Sequence, residues 1–356
     1  MQEDRAPAIL DGHNDVLLQL LNAGGKAAVR GFIEGCGGHI DLPRARAGGF
    51  GGGFFALYAP SPGEDEEGVM QAMRRPRYDL PLPPALDRES ALEAIFEEIG
   101  ILLHLERMGA LKICRNVSDL RACLSSGELA AIMHMEGAEA IDADLHTLDV
   151  LHAAGLRSLG PVWSRPTIFG HGVPFAFPAS PDTGPGLTEA GKRLIRRCNE
   201  LGVMIDLSHI NAAGFRDVAA ISEAPLVATH SNAHAICPHA RNLTDWQLDA
   251  IAESDGMVGL NFAAAFLRPD GQMRADVPLD VMLRHLDYLI GRLGEERVGF
   301  GSDFDGAMIP EAVGDVAGLP ALRRAMRDHG YDDALMEKLC HGNWLRVLEK
   351  TWGAAQ

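Results

Sequence analysis

The sequence predicts an α/β protein with a TIM-like (β/α)8 barrel and a binuclear metal site at the C-terminal ends of its strands. Short apolar runs typical of buried strands alternate along the chain with amphipathic stretches typical of helices, which indicates a parallel sheet covered by helices. Several of these runs end in a side chain that binds metals. Because the carboxyl ends of all strands in such a barrel open onto one face, these side chains are expected to meet there.

Eight mostly apolar segments are the predicted strands, and signals for a loop or a helix follow each of them. In chain order they are 8–13, 53–59, 129–135, 157–162, 203–208, 225–229, 257–262 and 298–302. Apolar residues at three- and four-residue spacing predict helices between them. The clearest helices are 90–109, 143–155, 187–202, 245–256 and 278–294. Each of these ends in glycine, and Thr188 is the expected N-cap of the third.

Two long segments, 60–88 and 164–186, interrupt the alternation. The first is rich in proline and charge, and the second contains several prolines and glycines. Both follow predicted strand ends, so we expect them to form walls or lids around the site. No linker divides the sequence, and residues 1–356 are therefore predicted to form a single domain.

The composition argues against several classes of protein. Lys and Arg number 32 and Asp and Glu number 49, and the resulting charge of −17 disfavours binding to nucleic acid or to an anionic membrane. No apolar run reaches the roughly 18 residues of a spanning helix, and the first residues, MQEDRAPAIL, lack the apolar core of a signal peptide. The six cysteines form no CxxC pair, which predicts reduced thiols in a cytoplasmic protein, although their even number leaves disulfides open.

The first candidate metal ligands stand at the ends of two predicted strands. His13 and Asp15 form a His-x-Asp pair whose side chains point to one side of an extended chain, so both can bind one cation. Glu136 follows the apolar run AAIMHM and can bridge two cations with its two oxygens. Taken alone, the pair could be a hydrogen-bonded strand end, and Glu136 could cap a helix or pair with an arginine.

His209 and His230 end the runs VMIDLSH and LVATH in two successive predicted strands. Two such histidines suit the nitrogen ligands of zinc. Asp206 and Ser208 could orient them or could be ordinary strand residues. Together with the three residues above, the histidines suffice for two metal ions, which polarise a carbonyl and activate water without a covalent intermediate.

Asp303 in GFGSDFDG follows the last predicted strand and could accept a proton from the nucleophilic water. Asp305 lies on the same face if the chain stays extended but points elsewhere if a turn begins between them. Asp303 is the preferred catalytic residue because the predicted strand ends near it.

In these motifs the chain resembles the membrane (renal) dipeptidase family of zinc dipeptidases, within the amidohydrolase superfamily. The resemblance runs over nearly the whole sequence, through DGHND, EGAEAI, GLTEAGKRLI, MIDLSH, THSNAHAICPHARNLTD and GFGSDFDG. It implies two zinc ions per chain. His13, Asp15 and Glu136 would hold one, and Glu136, His209 and His230 would hold the other.

The resemblance also implies roles for two residues that act on the substrate. Asp303 matches the family's catalytic Asp, and Arg241, in HARNLTD, matches the arginine that binds the terminal carboxylate of the substrate. A guanidinium is suited to this because it can donate two parallel hydrogen bonds to a carboxylate. Without the family context, a surface ion pair would be the simpler interpretation of Arg241.

The sequence departs from the family pattern after the fourth predicted strand. The family carries there a His, in a Thr-His-Asn segment, that contacts the scissile carbonyl or the tetrahedral intermediate, whereas Trp163 occupies the aligned position here. His171, eight residues on, could fold back and supply the missing donor or could merely contact water in the loop. This departure affects the expected substrate range more than the expected metal site.

These inferences predict a dipeptidase that hydrolyses small dipeptides, including L-X-D-Y dipeptides, by attack of a metal-bridging hydroxide with Asp303 as general acid and base. One alternative is hydrolysis of an N-acyl-D-amino acid or a lactone on the same metals. A second is a metal-binding protein that has lost catalysis, against which the presence of Asp303 argues. The sequence leaves open the preferred side chains, the stereochemistry, the native metal and the oligomeric state, for which a homodimer is one option.

Overall fold

The computed structural model describes residues 6–35, 37–63 and 66–353, so the first residues of MQEDRAPAIL and Cys36 lie outside the described part. In chain order its strands are β1 (Ile9–Asn14), β2 (Phe50–Tyr58), β3 (Tyr78–Asp79), β4 (Lys112–Ile113), β5 (Ala130–Glu136), β6 (Leu156–Gly160), β7 (Ala176–Phe177), β8 (Met204–Ile205), β9 (Val227–Ala228), β10 (Met257–Leu260) and β11 (Val298–Phe300). The eight predicted strands correspond to all of these except β3, β4 and β7.

Those eight strands form a parallel barrel. Their hydrogen-bonded order is β8-β6-β5-β2-β1-β11-β10-β9, and each pairing along this order is parallel. A single parallel bridge between Asp206 and Val227 joins the first strand of this order to the last. The predicted TIM-like barrel is therefore confirmed, and the carboxyl ends of the eight strands lie on one face.

Helices cover the outside of the barrel. They are α1 (Val16–Asn22), α2 (Val29–Glu34), α3 (Leu42–Gly48), α4 (Glu66–Ala72), α5 (Arg88–Arg107), α6 (Val117–Ser126), α7 (His146–Ala154), α8 (Glu189–Leu201), α9 (Ala212–Ile221), α10 (Asp245–Glu253), α11 (Ala264–Leu267), α12 (Leu279–Leu293), α13 (Leu319–His329), α14 (Asp333–Glu337) and α15 (Asn343–Trp352). The five predicted helices are α5, α7, α8, α10 and α12. Thr188 caps α8 as expected, because its hydroxyl accepts a hydrogen bond from the Gly191 amide. None of the helices in the described ranges is both long and apolar enough to cross a bilayer.

The inside of the barrel is filled by side chains. Apolar residues from six strands form a buried cluster with Trp344 of α15; they are Leu10, Phe54, Ile132, Met204, Val227 and Met257. The Trp344 indole N–H donates to the Phe300 carbonyl at 3.1 Å, and a side chain at Gly12 would collide with the Trp344 ring. The barrel is therefore a packed core, and it gives the strand ends above it a rigid base.

The two segments that interrupt the alternation are joined to each other. Segment 60–88 contains α4 and β3, segment 164–186 contains β7, and β3 pairs with β7 in antiparallel fashion. The Tyr78 hydroxyl donates to the Gly271 carbonyl at 2.6 Å and connects this small sheet to the loop between α11 and α12. The strands β3 and β7 were not predicted, because two-residue strands carry no detectable sequence period.

Candidate metal centre and active site

The five predicted metal ligands meet at the carboxyl ends of the strands. The Oε1 atom of Glu136 lies 3.1 Å from Nε2 of His209, 3.4 Å from Nε2 of His230 and 3.7 Å from Nε2 of His13. The Oδ2 atom of Asp15 is 3.2 Å from the same His13 nitrogen. All five side chains are buried, so three imidazoles and two carboxylates lie together with little exposure to solvent.

Hydroxyl groups next to the cluster orient two of the histidines. Ser164 Oγ lies 2.9 Å from Nδ1 of His209, and Thr229 Oγ1 lies 2.8 Å from Nδ1 of His230. Thr229 donates its own proton to Asp206 at 2.6 Å, so it accepts one from His230. The Nε2 lone pair of His230 is thereby directed into the cluster, and Asp206 has the orienting role that the sequence left open.

The charge distribution of the cluster fits divalent cations. Burial lowers the pKa of His209 and of His230 well below the usual range, so both rings are neutral, and their Nε2 atoms face each other at 3.0 Å. Burial opposes protonation of His13, but the carboxylates of Glu136 and Asp15 raise its pKa to about 10. These carboxylates therefore favour a positive charge between them. Two overlapping groups of ligand atoms, each within 4.8 Å, are His13, Glu136 and His230, and His13, Asp15 and Asp303. Imidazole and carboxylate are ligands that zinc accepts.

Asp303 lies beside the predicted ligands, in the turn that follows β11. Its Oδ2 accepts a hydrogen bond from Nδ2 of Asn261 at 2.9 Å, and burial raises the pKa of its carboxyl group. Its backbone is in the left-handed region, with φ at 61°. A side chain at Gly306 would collide with the carboxylates of Asp15 and Asp303, so glycine is required where the turn passes them. Strain of this kind is typical of functional sites and fixes the direction of the Asp303 carboxyl.

Arg241 is buried next to the predicted metal ligands, and no described carboxylate lies within ion-pair distance of it. Its Nη1 donates to Ser231 Oγ at 3.4 Å and its Nη2 to the His230 carbonyl at 3.2 Å, while its Nε has no partner among the described residues. Burial lowers its pKa to about 10. Since a buried cation without a counter-charge is destabilising, the site is suited to an anionic group of a ligand.

A cavity of about 460 Å³ opens onto the cluster, a volume typical of small-molecule sites. Its polar part contains Asp15, Glu136, His209, Asp303 and Asp305, and its apolar walls include Leu18, Val69, Met70, Met73, Trp163, Phe175, Phe266 and Met273. Segments 60–88 and 164–186 both contribute to these walls, which agrees with the position predicted for them.

Comparison with known proteins identifies the family. The model of the membrane dipeptidase family, peptidase family M19, matches residues 4–356. The chain belongs to this family. The resemblance inferred from the motifs is therefore confirmed, and the match extends to the helices that follow the last strand.

Relatives of this membrane dipeptidase family member share both sequence and fold. A Klebsiella pneumoniae protein, described as an uncharacterized protein in the pqqA 5′ region, is 48% identical over 263 residues, which are 73% of this chain and 97% of that protein. A Rhodobacter sphaeroides metallo peptidase, crystallised with a phosphinate mimic of the dipeptide L-Ala-D-Ala, is 57% identical with a TM-score of 0.95, and the match covers 98% of this chain and 100% of the other. The probable dipeptidase PvdM from Pseudomonas aeruginosa is 23% identical, with a TM-score of 0.81 over 98% and 96% of the two chains, and shares the fold.

The structure separates the two residues considered for the missing family His. Trp163 lines the cavity, with its ring centroid 5.8 Å from that of His209 and 5.2 Å from that of Tyr58. The guanidinium of the fully buried Arg165 lies 5.4 Å from the centroid of the Trp163 ring and packs against it. His171 is half-buried in the same loop and is not among the residues that line the cavity.

Several residues that shape the site were not singled out from the sequence. Asn261 directly follows β10 and Thr229 directly follows β9, so the strand-end rule that predicted the metal ligands could have found them too. Ser164 and Arg165 lie in a loop with no such signal. Their contacts with the site depend on how the loop folds back over the barrel.

Proposed function

We propose that this protein is a zinc dipeptidase that hydrolyses small dipeptides with a free carboxyl terminus, including L-X-D-Y dipeptides. The observation that carries the proposal is the position of the buried Arg241 guanidinium beside a cluster of metal-ligand side chains. The Rhodobacter sphaeroides relative supports the substrate class, because it binds a phosphinate mimic of L-Ala-D-Ala.

The residues of the site would have three separate roles in this reaction. His13, Asp15, Glu136, His209 and His230 would hold two zinc ions. When bound, such a pair of ions polarises a carbonyl and activates water at neutral pH. Arg241 would bind the terminal carboxylate and so place the scissile carbonyl. Asp303 would take a proton from the attacking water and deliver it to the leaving amine.

A dipeptide panel with metal analysis of the same sample tests the proposal. We expect hydrolysis of L-X-D-Y and L-X-L-Y dipeptides, about two zinc ions per chain, loss of activity with a chelator and recovery with zinc. N-acyl-D-amino acids and lactones belong in the same panel. Faster hydrolysis of either class than of any dipeptide would favour the alternative reaction. A protein without transition metal after purification in zinc-supplemented medium would contradict the proposal.

Replacing Arg241 with alanine should lower kcat/KM for L-Ala-D-Ala, mainly through KM. Truncating one partner of a buried charge pair costs about 2–5 kcal/mol, which corresponds to roughly 30-fold to several thousand-fold. The matched control is Arg323→Ala, which removes another buried arginine, one that contacts the Gly48 carbonyl away from the cavity. Steady-state rates with L-Ala-D-Ala and its C-terminal amide provide the measurement. An Arg241 variant that keeps the wild-type preference for the free acid would show that Arg241 binds something else.

Trp163→Phe and His171→Asn should have different effects on kcat. Phenylalanine keeps the ring packing of Trp163 but removes the indole N–H, and loss of one donor to a developing oxyanion costs roughly 10²-fold in kcat with KM little changed. His171 lies away from the cavity lining, so its replacement should change kcat by less than about threefold. The opposite pattern would assign the oxyanion contact to His171.

We also propose a cytoplasmic location. The five cysteines within the described residues are buried and free, which is typical of proteins in a reducing compartment. Cys114 and Cys123 have sulfur atoms 3.8 Å apart without a bond between them.

A further inference from the structure

Asp305 is a cavity carboxylate that the proposed mechanism does not use. It follows Asp303 by two residues, and its backbone is also in the left-handed region, with φ at 69°. Its side chain is 3% exposed and lines the cavity. The His39 amide donates to its Oδ1 at 2.5 Å. Burial raises the pKa of Asp305 to about 6, which the amides of His39 and Ile40 oppose, so the group is mainly charged at neutral pH. The carboxylate is therefore held in place by the backbone.

Among the described residues, no charged cationic side chain forms a direct ion pair with Asp305. The nearest ionisable nitrogen is Nδ1 of His39, 4.0 Å from Oδ1, but this atom accepts a hydrogen bond from the Asp305 amide at 2.8 Å and therefore carries no proton. Burial also lowers the pKa of His39, so the ring is neutral. Arg44 favours the charged form of Asp305 from a distance and forms ion pairs with Asp41 and Asp315. A fixed, buried carboxylate without a cation is suited to a cationic group of a ligand.

Asp305 and Arg241 lie against different walls of the cavity. Arg241 is behind the lining, and its guanidinium lies 5.5 Å from the ring centroid of Phe266, which forms part of the wall. Asp305 lines the cavity itself, next to Gln19 of α1 and the His39 amide. A dipeptide carries a carboxylate at one end and an ammonium at the other, so a site that takes the carboxylate at Arg241 has the Asp305 carboxylate available for the ammonium.

We infer that Asp305 binds the α-ammonium group of the substrate and so makes the enzyme selective for a free amino terminus. Gln19 of α1 lies beside Asp305, since an added side chain at Gly38 would contact both, and its amide oxygen offers the ammonium a second acceptor. The inference rests on the proposed dipeptidase function and deepens it. An N-acyl amino acid or a lactone lacks the ammonium and would leave the Asp305 carboxylate buried without a partner.

A binding cycle between Asp305 and the ligand's amino group tests this inference. The ligands are the phosphinate mimic of L-Ala-D-Ala and an analogue that differs only by loss of the amino group, and calorimetry on zinc-loaded protein gives the two values of Kd. We expect the wild-type protein to bind the amino-bearing mimic at least about 30-fold more tightly. Asp305→Asn keeps the oxygen that accepts from His39. In this variant the ratio of the two Kd values should fall below about threefold.

A structural role for Asp305 would weaken both ligands equally and leave the ratio of the two Kd values unchanged, which would overturn the inference. Asp305→Ser is the second variant should Asp305→Asn fail to fold. It should lower the ratio of the two Kd values to the same extent. Hydrolysis of L-Ala-D-Ala by the wild-type protein is measured alongside. If the wild-type protein does not hydrolyse this dipeptide, the proposed function fails, whereas normal hydrolysis with an unchanged ratio in the variants contradicts only the role of Asp305.

Discussion

Replacing Asp303 with asparagine should lower kcat for dipeptide hydrolysis by roughly 10²–10⁴-fold, because proton transfer by a positioned side chain contributes about this much. The fold should be retained for two reasons. Asparagine tolerates the left-handed backbone at φ 61° better than other non-glycine residues, and its side-chain oxygen can still accept from Asn261. Steady-state kinetics, elemental analysis and circular dichroism on the same preparation provide the measurement.

The control for Asp303→Asn is a second buried carboxyl group. Glu98 of α5 is fully buried, accepts a hydrogen bond from the Tyr58 amide at 2.7 Å and does not line the cavity. Burial raises its pKa well above the usual range, so Glu98→Gln replaces a neutral group with a neutral group and should leave kcat within about threefold of wild type. An Asp303→Asn variant with more than about a tenth of wild-type turnover would show that another group transfers the proton.

Replacing His230 with alanine should remove measurable turnover and reduce the bound zinc from about two ions per chain to about one. Its Nε2 lies 3.4 Å from Oε1 of Glu136 and 3.0 Å from Nε2 of His209, and alanine has no atom that could bind a metal there. The free energy of unfolding should fall by only roughly 1–3 kcal/mol, which is less than the 5–15 kcal/mol typical of a stable protein. The catalytic loss should therefore be seen in folded protein.

The control for His230→Ala is a buried histidine outside the cluster. His285 is also fully buried, and its ring contacts the Ala233 amide at 3.2 Å and the Leu267 carbonyl at 2.9 Å. His285→Ala should therefore lower the free energy of unfolding by a similar amount, while the zinc content stays at the wild-type value. If His230→Ala keeps its full zinc content, or if the two variants lose zinc equally, His230 is not a metal ligand.

Much of the architecture could be predicted from the sequence, because the buried side of each strand or helix requires apolar residues at regular spacings. The eight barrel strands and five of the covering helices were found from apolar runs and from spacings of three and four residues. Once the strands are parallel, their carboxyl ends must share one face, and this rule alone places His13, Glu136 and His230 together. The sequence therefore determined the barrel and the family, and it indicated a set of candidate metal ligands.

The tertiary structure decided which side chains face the cavity and which lack a partner. Asp303 and Asp305 are the same residue type and both have a left-handed backbone. Only the structure shows that they have different surroundings, because Asp303 contacts Asn261 and Asp305 contacts the His39 amide. The burial of Arg241 without a carboxylate is likewise invisible in the sequence. Side-chain direction beyond a strand end depends on turn geometry and on loops that arrive from distant parts of the chain, and neither leaves a local period in the residues themselves.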